Sequence, residues 1–195
     1  MQTAIIKYNA GNTQSVIYSL ERLGITPVLT NDFDEIRSAD KVIFPGVGEA
    51  SSTMRHLQEM KLDELIPSLK QPVLGICLGM QLMCKHSEEG DVNCLNIFDC
   101  EVKKFPTQKD EKVPHMGWNT LYNTEHPWIK NDIEDKHVYF VHSYYAPVVD
   151  ETVATCDYIL PFSAALQKDN FYATQFHPEK SAVQGAKIIE NFIKL

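Results

Sequence analysis

The sequence predicts an α/β fold, with a mostly parallel central sheet flanked by helices and antiparallel hairpins added in the second half. Three observations predict it. Short β-branched runs alternate with helical patterns through the first half, the signature of a helix-covered parallel sheet. One continuous apolar run, residues 72–76 (PVLGI), has the character of a strand buried on both faces. Beyond residue 96 helical periodicity gives way to short β-type segments separated by Pro, Asn and Asp.

Taken in order, residues 3–8 read as a first strand. Residues 12–23 read as a helix with Val16, Leu20 and Leu23 on one face and Gly24 at its stop position. Residues 25–29 form a second strand, a short helix over 34–38 is capped by Asp32, and residues 41–44 form a third strand. Pro45-Gly46-Val47-Gly48 then breaks the pattern as a loop whose glycines free its amides to turn. Two helical stretches fill residues 53–70, the buried strand 72–76 follows, and residues 78–86 read as helix again. The last helix, 182–195, repeats apolar residues at Ala182, Ala186, Ile189 and Ile193 and should lie on the sheet.

The chain has 195 residues, enough for one sizeable core, and shows no repeat, linker or low-complexity tract; one domain over residues 1–195 is expected. A net charge of -8 argues against nucleic acid, which needs a basic face. No stretch approaches the length of a membrane span, and the apolar part of MQTAIIKYNAGN is too short for a signal peptide, so a cytoplasmic protein is expected. The five cysteines (Cys77, Cys84, Cys94, Cys100, Cys156) lack paired CxxC spacing, which suggests reduced thiols rather than a disulfide framework or zinc knuckle.

One cysteine stands apart. Cys77 ends the buried strand between Gly75 and Gly79, at the carboxyl edge of the sheet where open α/β folds bind ligands. The spacing parallels the G-x-S-x-G elbow of hydrolases with sulfur for oxygen. There the following helix directs its dipole at the sulfur, the Leu78 amide becomes one oxyanion donor, and the 45–48 loop offers a second. A buried packing cysteine is the competing reading of the motif alone.

The base decides between them. In Phe176-His177-Pro178-Glu179 a strand ends in histidine with a carboxylate two positions on, a spacing that puts both side chains on one side of an extended segment. This yields a Cys77–His177–Glu179 triad: nucleophile, proton carrier and orienting anion. H-x-E also occurs in metal sites, but no further histidine or carboxylate recurs at ligand spacing, and neither metal nor cofactor is expected.

The order PGVG (45–48), GICLGMQ (75–81) and FHPE (176–179) resembles the class I (triad) glutamine amidotransferases, and the likeness runs over essentially the whole chain. Their fold is flavodoxin-like, and the resemblance implies hydrolysis of L-glutamine through a cysteine thioester, with ammonia passed to a synthase partner. PHMGWN (114–119), YFVHSY (139–144) and the Lys180 after Glu179 narrow it to the branch whose partner is a (β/α)8-barrel cyclase in a heterodimer. By motif position, Val47 and Leu78 would supply the oxyanion amides. Gln81, Glu89 and the backbone at Gly48, Ser143 and Tyr144 would hold glutamine, and Asn12, Trp118, Tyr139 and Lys180 would face the partner. The Val47 amide would turn to the site only with the cyclase loaded. Residues 106–112, within the stretch that departs from the relatives, read as a solvated turn. Two alternatives remain at this stage: a glutaminase serving another synthase, and a catalytically silent partner-binding module.

Overall fold

A computed structural model describes residues 1–8, 13–107, 111–129 and 136–195. Asn12 and the middle of the 106–112 turn lie outside the described residues. The first half runs β1 (Thr3–Ile6), α1 (Thr13–Arg22), β2 (Val28–Thr30), α2 (Phe33–Ser38), β3 (Lys41–Gly46), α3 (Ala50–Glu59), α4 (Leu62–Ser68), β4 (Val73–Cys77) and α5 (Leu78–Met83). The second half runs β5 (Cys84–Ser87), β6 (Val92–Asn93), β7 (Phe98–Lys104), β8 (His115–Thr120), β9 (His137–His142) and β10 (Tyr144–Tyr145). It closes with β11 (Thr152–Tyr158), β12 (Leu160–Lys168), β13 (Phe171–Thr174), a 3₁₀ turn (Pro178–Lys180) and α6 (Ala182–Ile193).

Among the described residues, seven strands form the central sheet in the order β11-β12-β13-β4-β3-β1-β2. From β13 to β2 every neighbouring pair is parallel, while β11, β12 and β13 pair antiparallel. Alternation explains the unbroken apolar runs: Ala4, Ile6, Val42, Phe44 and Val73 pack on one face, and Ile5, Ile43, Leu74 and Ile76 on the other. Ile36 of α2, Leu57 of α3 and Leu65 of α4 join the first cluster; Val16 and Leu20 of α1 and Ile188, Ile189 and Phe192 of α6 join the second. The sheet is thus sandwiched between two helical layers.

Several expectations shift in detail. Pro45 and Gly46 are strand, in register with Ile76 and Cys77, so the loop is confined to Val47–Gly48 and Glu49. The helix expected over 78–86 stops at Met83, and Cys84–Ser87 instead starts a second, four-stranded sheet ordered β10-β7-β5-β6. Its β5–β7 pair is parallel, an exception among the hairpins of this half. On α6 the buried face is Gly185, Ile188, Ile189, Phe192 and Ile193, and Ala182 is exposed. The observed face differs from the expected repeat at its start because Gly185 carries no hydrophobic signal yet packs against the Pro178 backbone.

Candidate active site

Three adjacent strands, β13, β4 and β3, deliver the site from their carboxyl ends. Thr174 of β13 pairs with Ile76 of β4, and Gly46 of β3 pairs with Cys77, so the segments following each strand emerge side by side. Cys77 turns there with φ 53 and ψ -108, a conformation that non-glycine residues rarely adopt and that costs on the order of 1–3 kcal/mol. The turn is sustained by close packing behind it. A Cβ on Gly79 would stand 2.0 Å from the Phe44 carbonyl oxygen, so only glycine lets α5 lie this close to β3. The sharp turn read from the glycine spacing is therefore present, and its tightness comes from α5 lying on the neighbouring strand.

His177 and Glu179 meet as expected, with Nδ1 and Oε1 2.8 Å apart. The geometry differs from an extended i, i+2 pair: Pro178–Lys180 is a 3₁₀ turn, and it brings Glu179 back under the ring. Both side chains are almost fully buried. Burial of the ring opposes its charge, but hydrogen bonding and attraction from Cys77 and Glu179 prevail and push His177 up to about 10. Its Nε2 is buried on the Cys77 side of the ring and bonds no other group of the described residues. The turn itself is pinned: His177 N–H donates to the Tyr139 carbonyl (2.9 Å), Tyr139 N–H to Ser181 Oγ (2.9 Å), and Ser181 O–H to the His177 carbonyl (2.7 Å).

Cys77 and His177 open into a cavity of about 330 Å³ whose walls include Val47, Gly48, Leu78, Gln81, Glu89, Ser143 and Tyr144. All the residues assigned to oxyanion and substrate contacts thus line one cavity. Two of them are already engaged. Glu89 Oε2 accepts from the Ala50 N–H at the start of α3 (2.9 Å), and its carboxyl is raised by burial and the nearby Glu49, against the lowering effect of the Ala50 bond. Gln81 Nε2 donates to the Tyr144 carbonyl and to Gln175 Oε1, both at 2.9 Å.

Sequence reasoning passed over Pro114, Val141 and His142, which also line the cavity. His142 belongs to a buried chain: its Nδ1 bonds the Tyr144 carbonyl (2.7 Å), its Nε2 lies 3.0 Å from His115 Nδ1, and Asn119 Nδ2 lies 3.3 Å from His115 Nε2. A hint was available, since His115 and His142 occupy the two motifs that narrowed the resemblance.

Two of the expected partner-facing residues, Trp118 and Tyr139, lie on the antiparallel ladder formed by β8 and β9. On β8 and β9 Trp118 pairs with Tyr139 and Met116 with Val141; the Trp118 and Tyr139 rings meet edge-on at 5.9 Å. Met116 is 67% and Trp118 53% exposed, while the opposite face of the same strands buries His115, Phe140 and His142. Lys180 is exposed at the end of the 3₁₀ turn.

This fold and this nucleophile geometry belong to a defined class. The chain matches the family model of glutamine amidotransferase class-I over residues 4–195, and it belongs to that family. Two solved structures share the fold: a glutamine amidotransferase (TM-score 0.74, 15% identity, 100% of this chain and 98% of that one) and PurLQS from Thermotoga maritima (TM-score 0.71, 14%, 99% and 97%). At the level of individual proteins, the chain is 62% identical to the imidazole glycerol phosphate synthase subunit HisH of Bacteroides thetaiotaomicron, over the full length of both. It is 61% identical to the same subunit of Bacteroides fragilis, again over both full lengths, and 45% identical to that of Shewanella loihica, over 99% of this chain and 90% of the relative.

Proposed function

We propose that this chain is the glutaminase subunit of an imidazole glycerol phosphate synthase. It hydrolyses L-glutamine to glutamate and ammonia and delivers the ammonia to a cyclase subunit, a (β/α)8 barrel. That partner forms imidazole glycerol phosphate and aminoimidazole carboxamide ribonucleotide in histidine biosynthesis, in the cytoplasm. The observation that carries the reading is the convergence of Cys77, His177 with its Glu179, and the Val47 segment from three adjacent strands onto one cavity.

Catalysis follows from the placement of these groups. Cys77 Sγ attacks the side-chain amide carbon of glutamine, and the thiol proton goes to His177 Nε2. The oxyanion is held by the amides of Val47 and Leu78, each worth about 10²–10³ in rate by analogy with other oxyanion donors. His177 then protonates the leaving nitrogen, the C–N bond breaks, and ammonia departs from the thioester. Water attacks the thioester carbon, passing its proton to His177, and the C–S bond breaks to release glutamate. Glu179 keeps the ring oriented and compensates its charge throughout.

The partner is read from the surface. Exposed Met116 and Trp118 lie beside Tyr139, and Tyr139 is bonded to the backbone of the triad turn, so a protein seated on this ladder touches the strand that holds His177. Asn12 and Lys180 complete the expected contact. The Val47 amide, next to a Gly48 at φ 121, is the donor that partner binding would turn toward the oxyanion.

Exposure to the glutamine analogue diazo-oxo-norleucine, followed by intact-mass analysis and peptide mapping, tests the site. One adduct on Cys77, absent in Cys77→Ala, is expected; labelling at Cys84 or Cys94 instead overturns the triad. Glutamate release should rise at least tenfold when the cyclase subunit and its nucleotide are added. Equal rates for the free chain and the loaded complex would remove the partner-dependent part of the reading.

A further inference from the structure

We infer that Gln175 is a further catalytic residue: its side-chain N–H donates a hydrogen bond to Cys77 Sγ and stabilises the sulfur in its anionic form. The inference rests on the reading of Cys77 as the nucleophile and adds a group to it. Gln175 is fully buried, and its Nε2 lies 3.7 Å from Cys77 Sγ, a distance ordinary for a nitrogen donor on sulfur.

The direction of this bond is fixed by a backbone atom. Oxygen and nitrogen of a glutamine amide look alike, so the hydrogen-bond network has to assign them. The Tyr144 carbonyl can only accept, hence the Gln81 atom 2.9 Å from it is the nitrogen. That nitrogen also lies 2.9 Å from the Gln175 amide, and the group it meets there must accept, so it is Oε1. Gln175 is thereby left with its N–H groups toward the sulfur. The same carbonyl fixes His142 as an Nδ1–H donor (2.7 Å), which makes its Nε2 the acceptor of His115 Nδ1–H (3.0 Å). One carbonyl therefore sets the polarity of a chain that runs from the partner-facing ladder to the nucleophile.

The local sequence explains how Gln175 arrives there. After β13 the Phe176 ring turns into the core against Phe140, and its neighbours Gln175 and His177 point the other way, toward Cys77. The titratable groups around the sulfur are His177 with Glu179 behind it, Tyr8 beyond β1, and His142, Glu89 and Tyr144 across the cavity. Of these His177 and Glu179 form the triad, and Tyr8 O–H is committed to the Pro45 carbonyl at 2.5 Å. Gln175 is a neutral donor added to them. Hydrogen bonds to a charged acceptor are stronger than those to a neutral one, so this donor favours the thiolate over the thiol.

The test measures the rate of Cys77 carboxamidomethylation by iodoacetamide against pH, in the full-length chain and in Gln175→Met and Gln175→Glu. Both variants keep the length of the side chain; Met has no donor, and Glu has none once its carboxyl is ionised. The pH midpoint of alkylation should rise by about one unit in Gln175→Met, a tenfold loss of reactive sulfur at fixed pH below it, and further in Gln175→Glu. Unchanged midpoints in folded variants overturn the inference while the nucleophile assignment stands; failure of the unmodified chain to alkylate at Cys77 overturns both. Should either variant not fold, the unmodified chain decides. One glutamine side-chain amide resonance should move with the same pH midpoint and lose that titration in Cys77→Ala, and a set of glutamine amides indifferent to Cys77 sinks the inference.

Discussion

Gly185 and Pro178 are in direct backbone contact: a Cβ on Gly185 would stand 1.9 Å from the Pro178 carbonyl oxygen. Helix α6 thus rests on the turn that carries Glu179, and a methyl group there must push the two apart. Gly185→Ala should cost about 1–3 kcal/mol in denaturant unfolding and should lower glutamine hydrolysis with it, because the displaced turn takes Glu179 from His177. A variant with unaltered stability and turnover would mean that the turn is free to shift.

Glu179→Gln removes the charge behind His177 while keeping the size of the side chain. The fold should survive, and the ring should lose part of the attraction that holds it near 10. Glutamine hydrolysis in the complex with the synthase partner is expected to fall by about 10⁴, the loss seen when the Asp of a serine-protease triad is changed to Asn. Retention of more than a tenth of the activity would remove Glu179 from the triad.

The buried histidines give stability a defined pH profile. Burial pushes His115 down to about 4 and His142 down to about 3 from an ordinary value of 6.5. Below pH 6.5 the unfolded chain takes up protons that these rings refuse, so their effect is to lower stability progressively as the pH falls toward 4 and 3. His177 has the opposite sign. Its contribution is complete below 6.5 and is lost as the pH rises through about 10. The three together place the stability maximum near pH 6.5, and Glu49, held at about 2 mainly by its bonds to Ser51 and Ser52, adds its own loss only below about 4.5. Urea midpoints measured from pH 4 to 10 should trace this dome, and a flat profile between 4 and 6.5 would contradict the neutral burial of His115 and His142.

Trp118→Ala tests the partner surface. Large aromatic side chains dominate binding when they are desolvated at an interface, so affinity for the cyclase subunit should weaken about 30-fold, near 2 kcal/mol. Alkylation of Cys77 in the free chain should be unaffected, because Trp118 lies on the outer face of its ladder. Equal affinity, measured by titration calorimetry, would place the interface elsewhere.

Much of the site was legible because its residues sit at fixed offsets within single motifs. Cys77 between its glycines, and Glu179 two positions after His177, depend on local backbone geometry, and such geometry is written in a few consecutive residues. The helix expected over 78–86 ends early, at Met83, for the complementary reason. Leu82, Met83 and Cys84 are all buried, and apolar periodicity alone does not separate a buried helix from the strand that follows it.

The sequence by itself determined the alternation of strands and helices, the elbow at Cys77, the pairing of His177 with Glu179 and the family to which the chain belongs, since each rests on neighbours along the chain. Only the tertiary structure decided which strands stand side by side, and therefore that β13, β4 and β3 bring three separate motifs to one cavity. It alone revealed Gln81, Gln175 and Tyr144 as a chain ending on the sulfur, and His115 and His142 as its extension. The physical reason is that the bond from Gln175 to Cys77 joins positions 98 residues apart, and a polar residue's role is set by the group facing it across the fold rather than by its neighbours in sequence.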